Sequence, residues 1–599
     1  MKFRRLAEYF EKIEKTASRL EMTEILAQML KEAQTEEVDQ MVYLALGMLR
    51  PKYEGIEFNL AEKMMIRVLS TAYGVELKKV EQEFKKVGDL GEIVGGMRPL
   101  KSDKDNQSLN GIHHSEIGKD MSVGEVYNRL FEIAVDEGQG SQDRKVQNMA
   151  RLLKDLDLPG AKFAARIPVN KLRLGFSNMT ILDALSWMEK GDKSLRPDLE
   201  RAFNVSADIG RIAAIFKKEG LKGIGGVKVK IGVPIRAAQA ERLPSAEKIV
   251  DKLEIFAVEG KWDGLRVQIH FDKGRSRTAA TQEALFSSGG KSFVRIFSRN
   301  LDNITNMFPE ISQAVEQLAV NSIILDGEAV GYDAKTGKLL PFQETIQRKR
   351  KHGVGSMSET VPIKVFVYDI LALNGENLIT KPFRERRKLL EKILHSGGVL
   401  QLADQEIVSE ANRLTELRQH YLDLGLEGVM CKKLTTAYQA GSRNFNWVKF
   451  KKSAGGELMD TIDAVVMGYY QGKGKRSGFG MGAFLVGVTD EKNCVGSIAK
   501  IGTGLTDEQW RELVVKCKKL ETKEKPAEYL VDKNLECDVW VKPEIVVEIM
   551  ADEITVSPIH AFGLALRFPR LINFREDKGV SEATGKKELE RLFKLQKTA

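Results

Sequence analysis

The sequence predicts a multidomain protein in which an all-α region is followed by an α+β domain and then by a small all-β barrel. Apolar residues recur at three- and four-residue steps through the first third of the chain, as in amphipathic helices. Strand-like runs alternate with helical patterns through the middle of the chain. After Asp460, short strands separated by glycine turns favour an antiparallel barrel.

Length and composition agree with several globular domains. The 599 residues exceed what one hydrophobic core organises, so about three or four domains are expected. Apolar residues make up 42% and charged residues 30%, which is typical of a soluble globular protein. The net charge of +9 suits a polyanionic partner, although charge alone is weak evidence for nucleic acid.

The sequence shows no sign of secretion or membrane insertion. No apolar run of signal-peptide length follows Met1, and no stretch is long and apolar enough to span a bilayer. The four cysteines are sparse and widely spaced, which argues against a disulfide framework or a zinc site. We therefore expect a cytoplasmic protein with reduced thiols and no membrane partner.

Helical patterns define the first predicted domain, residues 1–225. Leu6, Phe10, Ile13, Ala17 and Leu20 are predicted to form one apolar stripe. Further elements follow from the same pattern. The predicted helices are Leu60–Tyr73, Val123–Asp136 and one from Thr180, with a polar loop at Leu100–Gly118 and an end to the helical region at Gly220–Gly226.

Strands dominate the second and third predicted domains, residues 226–452 and 453–599. In the second domain, strands are predicted at Val227–Pro234, Val258–Phe271, Ser292–Phe297, Ile323–Tyr332, Ile363–Leu371 and Gly428–Lys432, with helices at Ile311–Leu318 and Arg384–Leu394. In the third, strands are predicted at Asp463–Tyr470, Ala483–Val488, Ser497–Ile501 and Ile545–Ala551, with helices at Glu508–Lys518 and Lys586–Leu595.

Six short segments carry the residues that suggest chemistry. They are Glu259–Gly264, Ser298–Asn300, Asp326–Glu328, Glu427–Met430, Trp447–Lys451 and Arg575–Lys578. Together they supply an amine, cations for phosphates, and carboxylates for a ribose or a metal. The tetrapeptide Lys261–Gly264 alone more often marks a solvated hairpin end, so the prediction depends on the whole set.

Lys261 is the candidate nucleophile of this set. An amine must lose its proton before it attacks phosphorus, and neighbouring cations favour the uncharged form. Arg443, Lys449 and Lys451 supply such cations from another segment of the chain. His270, on the predicted strand after the motif, is predicted to pack rather than to act in catalysis.

Over nearly its whole length, the sequence resembles an ATP-dependent DNA ligase of the archaeal and eukaryotic replicative type. Lys261–Gly264 matches the family's Lys-x-Asp-Gly motif, and the other five segments match the remaining motifs in order. The segments Tyr9–Thr16, Ser18–Leu20 and Lys171–Gly175 resemble the family's amino-terminal DNA-binding domain. The segment Leu566–Arg570 with Arg575–Lys578 is highly specific to these enzymes. Trp262 stands where the family often has tyrosine, which is expected to matter little.

The resemblance implies an all-α DNA-binding domain, an α+β adenylyltransferase domain of the ATP-grasp-like nucleotidyltransferase class, and an all-β OB-fold barrel. The implied activity is the sealing of nicks in double-stranded DNA through a lysyl-AMP intermediate, in replication, repair and recombination. The implied cofactors are ATP and Mg²⁺, with Mn²⁺ as an alternative. A monomer working at the nucleoid is expected, and the sequence has no clear docking peptide for a sliding clamp.

The resemblance also assigns roles around the nucleotide. Lys261 is expected to attack the α-phosphorus of ATP. Glu259 is expected to read the adenine edge and Phe366 to stack on the ring, although Phe366 is also explained as a core residue. Arg266 and Arg299 are expected to meet the ribose or the incoming 5′-phosphate.

Carboxylates and further cations complete the implied site. Glu328 is expected to hold a ribose hydroxyl, and Glu328 with Glu427 to bind the metal, although each is also explained as an ordinary turn or surface carboxylate. The phosphate-binding cations are expected to be Arg443, Lys449 and Lys451 for the α-phosphate, and Arg575 and Lys578 for pyrophosphate.

Two basic segments are candidate DNA contacts. The residues are Lys171, Arg173, Lys473, Lys475 and Arg476. The basic turn Gly472–Arg476 is explained either by a grip on a phosphate backbone or by simple solvation. The run Arg348–His352 is explained equally well as a solvated helix face or as a DNA contact.

Residues 273–291 depart from the family pattern, which usually joins these strands by a tight turn. We expect an inserted, weakly basic flap there.

Three rival interpretations remain at this level. An RNA ligase or capping guanylyltransferase shares the lysine but usually lacks the helical region. An NAD-dependent ligase carries a four-cysteine zinc site, and no close cysteine pair exists here. A catalytically silent DNA-binding scaffold would need the motif lysine or its partners to be lost.

Overall fold

Helices make up the first part of the chain, and their bounds follow from capping and apolar periodicity. Among the described residues, α1 to α12 are Phe3–Glu14, Arg19–Glu32, Val38–Ala45, Glu62–Tyr73, Leu77–Val87, Leu90–Met97, Val123–Val135, Ser141–Asp155, Leu158–Arg166, Asn178–Lys190, Arg196–Val205 and Ile209–Gly225. The helices predicted at Leu60–Tyr73, at Val123–Asp136 and from Thr180 are confirmed. The predicted loop Leu100–Gly118 lies almost entirely outside the described residues.

This computed structural model describes residues 1–16, 18–97, 118–243, 245–274, 292–340, 344–345, 361–394, 397–451, 461–472 and 480–598. The chain divides into two compact units, Met1–Phe450 and Lys451–Ala599. Within the described ranges, no helix combines the length and the apolar character needed to cross a bilayer.

The first helix pair shows where the sequence pattern was misleading. The α1 helix ends at Glu14, and Ser18 caps α2 by accepting a hydrogen bond from the backbone N–H of Glu21. A capped break changes the direction of the following helix, so the apolar periodicity does not continue across it. Leu20 is accordingly 51% exposed, and the single stripe predicted through that residue is wrong there, while Ala17 lies outside the described residues.

Two sheets form the middle of the chain. Strands β1 to β11 are Gln239–Arg242, Phe256–Gly260, Leu265–Asp272, Phe293–Ser298, Ser322–Gly331, Ile363–Leu373, Glu376–Asn377, Leu400–Leu402, Gln405–Val408, Gly428–Lys433 and Arg443–Lys451. The five-stranded sheet has the order β1-β11-β10-β2-β9, and the six-stranded sheet has the order β4-β3-β5-β6-β7 with β8 beside β6. Helices α13 to α16 are Ala246–Leu253, Pro309–Glu316, Phe383–Ile393 and Ala411–Asp423.

The strand predicted at Val258–Phe271 is in fact two strands in different sheets. Strand β2 ends at Gly260 and β3 begins at Leu265, so residues 261–264 carry the chain from the five-stranded sheet to the six-stranded one. An alternating pattern cannot reveal such a crossing, because both strands have the same period.

The strand predicted at Val227–Pro234 is also wrong. This segment does not join either sheet. Side chains of β3 bind it at Gly232 and just beyond it at Ile235, and the Pro234 carbonyl accepts from the Ala207 N–H at 3.3 Å. The Gly232 N–H donates to His270 Nδ1 at 3.0 Å, and Gln268 exchanges two hydrogen bonds with the backbone of Ile235 at 2.8 and 3.1 Å. Gly232 has a φ of +84°, which breaks the extended conformation.

The second unit is built mainly from antiparallel strands, as predicted. Strands β12 to β21 are Ile462–Gln471, Met481–Thr489, Val495–Ile501, Glu521–Thr522, Tyr529–Leu530, Val539–Val541, Val546–Met550, Glu553–Val556, Leu564–Arg567 and Arg570–Phe574. Helices α17 and α18 are Asp507–Lys518 and Lys586–Thr598. Strand β12 is central, because it pairs with β13 on one edge and with β17 and β18 on the other.

His270 is a buried neutral imidazole, which confirms that it packs. It is 0% exposed, and its ring meets Phe297 edge-on with the centroids 5.0 Å apart. Because Nδ1 accepts from Gly232, the proton lies on Nε2, which donates to Gln268 Oε1 at 2.9 Å. Burial, with a smaller contribution from the charge of Arg295, lowers the pKa of His270 to about 3.

We predict that His270 makes the first unit less stable in acid. The unfolded chain takes up this proton near its ordinary pKa of about 6.5, whereas the folded chain resists it down to about 3. Stability is therefore complete above pH ~6.5 and falls by about 1.4 kcal/mol per pH unit below it. Urea unfolding of wild type and His270→Gln across this range should show a shallower loss for the variant. The exposed His420→Gln variant should keep the wild-type slope, and equal slopes for all three proteins would contradict the prediction.

Candidate active site

One face of the five-stranded sheet collects basic and acidic side chains. Glu259 of β2 lies opposite Met430 of β10, so the two side chains share a face. Lys432 lies two residues further along β10 and shares that face by strand alternation. On β11, Val448 and Phe450 pack with the opposite face, which places Lys449 and Lys451 on the face of Met430.

The six-stranded sheet presents a matching face. Arg266 of β3, Glu328 of β5 and Phe366 of β6 lie directly opposite one another across three adjacent strands. On each of these strands, apolar residues next to the named one in sequence point to the other side of the sheet, where they pack into a separate apolar core. Tyr368 of this sheet meets Trp447 of the five-stranded sheet edge-on, with ring centroids 6.0 Å apart. The two faces therefore enclose one cleft.

Lys261 lies at the point where the chain enters this cleft. Its backbone continues the ladder between β2 and β10: its N–H donates to Gly428 O at 2.9 Å, and its carbonyl accepts from the Glu427 N–H at 3.0 Å. Its Nζ lies 2.5 Å from Glu427 Oε2, and the two side chains are 21% and 18% exposed. The nearest partner of the amine is thus a carboxylate, whereas the sequence suggested neighbouring cations.

Glu328 is a second carboxylate close to this amine. Burial raises the pKa of Glu328, the charges of Lys261 and Arg266 oppose the rise, and the charges of Asp326 and Glu427 add to it, so that the pKa is about 7. Two like charges held in a partly desolvated cleft attract a cation. Among the described residues, no group of three or more His, Cys, Asp or Glu side chains is arranged to hold a metal ion.

Asp326 organises the floor of the cleft. It belongs to the segment Asp326–Glu328, but the sequence assigned it no function. Its carboxylate accepts from Arg266 Nε at 3.0 Å and Nη2 at 2.6 Å, from the Tyr438 hydroxyl at 2.8 Å, and from the Tyr368 hydroxyl at 3.3 Å. Arg266 Nη1 donates to Ala238 O at 2.7 Å. Burial opposes the Arg266 charge, but Asp326 outweighs it and raises the pKa of the guanidinium. Arg266 is therefore held largely by the protein itself.

Glu259 belongs to a buried charge cluster. Its carboxylate is 2.6 Å from Lys432 Nζ and 4.0 Å from Arg387 Nη1. The Lys432 ammonium also lies over the rings of Tyr368 and Trp447, at 4.3 and 4.5 Å from their centroids. Burial raises the pKa of Glu259, against the charge of Lys432. Lys432 was missed in the sequence, although its position two residues after Met430 on one strand face was a usable signal.

Trp262 contributes more than its place in the motif suggested. Its indole stacks on Phe366 with the ring centroids 4.8 Å apart and the planes inclined by 9°. Trp262 is buried and Phe366 is half-buried. The phenyl ring that was predicted to stack on adenine is therefore backed by a second aromatic ring from the lysine motif.

The remaining predicted residues lie at different places. Arg299 is exposed in the turn after β4 and lines one small pocket with Arg266, Gln268 and Asp326. Arg443 is exposed at the start of β11. In the helical region, Lys171 pairs with Glu62, and Arg173 Nε lies 3.1 Å from Asp89. Arg575 and Lys578 belong to the second unit. The positions 473, 475, 476, 348–352 and 275–291 lie outside the described residues.

Comparison with known proteins supports the sequence motifs. Family models match residues 2–186 (DNA ligase N terminus), 286–451 (ATP dependent DNA ligase domain) and 477–578 (ATP dependent DNA ligase C terminal region). Lys261 precedes the second of these segments, and the alignments with curated relatives, which span the chain, cover its position.

Two curated relatives align from end to end. The chain is 43% identical over 611 residues to a probable DNA ligase of Dictyoglomus turgidum, covering 100% of this chain and 98% of that protein. It is 34% identical over 607 residues to a DNA ligase of Sulfolobus acidocaldarius, covering 99% and 98%. A solved structure described as Pmar-Lig_PreS3 aligns with a TM-score of 0.51 at 19% identity, covering 95% of this chain and 99% of that one, which supports the fold alone.

These comparisons, over the whole chain, show a multidomain ligase. The chain belongs to the ATP-dependent DNA ligase family. The resemblance inferred from the six motifs is therefore confirmed.

We predict that Asp326→Asn destabilises the first unit strongly. Asp326 is 1% exposed, and the change leaves the Arg266 charge buried without its counter-ion. Breaking such a pair costs about 3–5 kcal/mol. Urea unfolding should show this loss, whereas Glu416→Gln, which removes an exposed partner of Arg413, should cost less than about 1 kcal/mol. A variant Asp326→Asn as stable as Glu416→Gln would contradict the network described here.

Proposed function

We propose that this protein seals nicks in double-stranded DNA by forming AMP-lysine at Lys261 and passing the adenylate to a 5′-phosphate. The observation that carries the proposal is the position of Lys261, at the edge of a cleft that holds Glu427, Glu328, Phe366 and Lys449. Family membership supports the use of ATP. The geometry supports it further, because the Lys261 amine lies beside the Glu427 carboxylate, which can accept its proton.

The first step forms one bond and breaks another. The Lys261 ammonium must shed a proton before it attacks, and Glu427 Oε2, 2.5 Å away, is the nearest carboxylate oxygen to receive it. The free amine then forms a P–N bond with the α-phosphorus, and the bond from that phosphorus to the bridging oxygen breaks. Pyrophosphate leaves with the electron pair. In such transfers most catalysis is positioning and electrostatic stabilisation, which this cleft supplies through fixed charges.

Residues on the two faces of the cleft are proposed to bind the adenine base and the ribose. We infer that the adenine stacks on the side of Phe366 that Trp262 leaves uncovered, because a π-face backed by another ring keeps a fixed orientation. Glu328, directly opposite Phe366, is placed to accept from a ribose hydroxyl. Glu259 is proposed to read the base edge, with Lys432 and Arg387 fixing its carboxylate.

Some cations of the cleft are proposed to bind phosphates, whereas Arg266 supports the structure of the cleft. Lys449 and Lys451, on the cleft face of β11, are proposed to neutralise the α-phosphate together with Arg443. Arg299 is exposed and is proposed to meet the incoming 5′-phosphate. Arg266 acts mainly through Asp326 and the shape of the cleft floor, because its guanidinium is already committed to protein partners.

A divalent cation fits the carboxylates of this cleft. Mg²⁺ is usually held by one or two carboxylates plus phosphate oxygens and water, which agrees with a pair formed by Glu328 and Glu427. The raised pKa of Glu328 reflects burial and the like charge of Glu427, both of which a cation relieves. When bound, Mg²⁺ or Mn²⁺ would supply charge neutralisation at the polyphosphate.

The domain plan supports the later steps. The apolar core of the helical region is confined to residues between Phe3 and Ile224, which supports a DNA-binding domain ending near residue 225. We propose an adenylyltransferase domain to residue 452. The antiparallel strands β12 to β14, followed by α17, support an OB-fold in residues 453–599.

The last chemical step seals the nick. After transfer of AMP to the 5′-phosphate, the 3′-hydroxyl at the nick attacks that phosphate and AMP leaves. A monomeric enzyme acting in the cytoplasm at the nucleoid, in replication, repair and recombination, agrees with a DNA substrate.

Lys261→Ala tests the nucleophile. Incubation with α-labelled ATP and Mg²⁺ should leave label on denatured wild-type protein and none on the variant, because the amine that forms the P–N bond is gone. Binding to a nicked duplex should remain. The exposed Lys248→Ala variant should label like wild type. Persistent label on Lys261→Ala would place the adenylate on another residue, and label from GTP alone would favour a capping enzyme.

Lys171 and Arg173 are predicted to contact DNA phosphates. Both side chains are partly exposed. Lys171 pairs with the partly exposed Glu62, and such a pair is weak enough to be exchanged for a phosphate. Arg173 pairs with the buried Asp89, whose charge Arg166 also balances, so Arg173 can leave it for a phosphate. Replacing each by Ala should weaken binding to a nicked duplex and lower the slope of log affinity against log salt by about one. Fluorescence anisotropy over a salt series measures this. Self-adenylation should be retained, and an unchanged slope would remove these residues from the interface.

A further inference from the structure

Two cations of the second unit converge on one carboxylate. Lys578 Nζ lies 2.6 Å from Asp463 Oδ2, and Arg575 Nη1 lies 3.1 Å from both oxygens of the same side chain. Lys578 and Arg575 are the two cations of the last sequence motif, whereas Asp463 lies more than a hundred residues earlier and belongs to none of the six motifs. The contact is therefore a product of the fold.

Asp463 is itself fixed by the backbone around it. It is the second residue of β12, in register with Glu548 of β18. Its N–H donates to Thr584 Oγ1 at 3.1 Å, and its carbonyl accepts from the Thr584 N–H at 2.8 Å. The Asp463 side chain is only 12% exposed. A carboxylate held in this way imposes its position on the longer and more flexible side chains that bind it.

Arg575 is held from a second side as well. Its Nε and Nη2 donate to the two oxygens of Asp577 at 2.8 and 2.7 Å, the two-pronged geometry that fits a guanidinium to a carboxylate. This contact lowers the pKa of Asp577 to about 2. A guanidinium has five N–H donors, so these contacts leave donors for another anion. Asp463 thus joins Arg575 and Lys578 into one rigid cationic pair.

We propose that Asp463 is a positioning residue for the adenylation step, in which it holds Arg575 and Lys578 at a fixed separation to grip the pyrophosphate end of ATP. This inference rests on the proposed function. Its physical basis is that a side chain already held in its bound conformation loses less conformational entropy when the ligand binds. The alternative, that Asp463 only stabilises the β unit, predicts equal damage to every step that needs this unit.

The test compares two reactions of the full-length protein. Asp463→Asn keeps the size of the side chain and removes its charge. The KM for ATP, measured from the rate of labelling at Lys261, should rise roughly tenfold, because charge-assisted hydrogen bonds to both cations are lost. Sealing of a nicked duplex that already carries AMP on its 5′-phosphate uses no ATP and should remain at the wild-type rate. As a matched control, Glu491→Gln removes the partner of Lys587 in the same unit and should change neither reaction.

A second measurement separates positioning from stability. In the double variant Arg575→Ala/Lys578→Ala, adding Asp463→Asn should change the KM for ATP no further, because the residues through which it acts are absent. The inference is overturned by an unchanged or lower KM in the single variant, by equal loss of labelling and of sealing, or by a full effect in the double-variant background. Absence of labelling in wild type would refute the proposed function instead.

Discussion

The crossing of the chain between two sheets within residues 261–264 determines the rest of the site. It ends β2 at Gly260 and starts β3 at Leu265, so Lys261 is bound to one sheet by its backbone while the next strand faces it from the other. Gly264 permits this, because a Cβ there would lie 2.5 Å from Ala329 O and 2.9 Å from Glu328 Cγ. Close approach of the crossing to β5 brings Glu328 near the amine.

A set of buried charges fixes the shape of the cleft. Asp326 with Arg266, Asp369 with Arg386, and Glu259 with Lys432 are ion pairs that are almost fully removed from water. Desolvation makes such pairs poor sources of net stability, but losing one partner is costly. Their physical effect is to allow very few arrangements of the two sheets. A cleft that must place a phosphorus atom within bonding distance of one amine benefits from that restriction.

The same principle recurs in the second unit. There a single carboxylate, Asp463, organises Arg575 and Lys578, and Asp577 completes the arrangement. In both units, carboxylates outside the residues assigned to the nucleotide hold cations in defined orientations. In the second unit, the sequence motif contains both cations and Asp577, whereas Asp463 lies more than a hundred residues earlier in the chain. In the first unit, a motif contains Asp326, and its partner Arg266 lies just beyond the lysine motif.

The sequence by itself determined the order of helical, α+β and β regions and the segments from which Lys261 is proposed as the nucleophile, because periodicity and motif spacing are local properties. It also predicted the packing role of His270, which the structure confirms. It did not reveal the crossing at Lys261, the irregular segment around Gly232, the Glu427 partner of the amine or the stack of Trp262 on Phe366. Those features depend on which strands pair and which faces meet, and only the tertiary structure decided that, since contacts between residues far apart in sequence leave no local periodic signal.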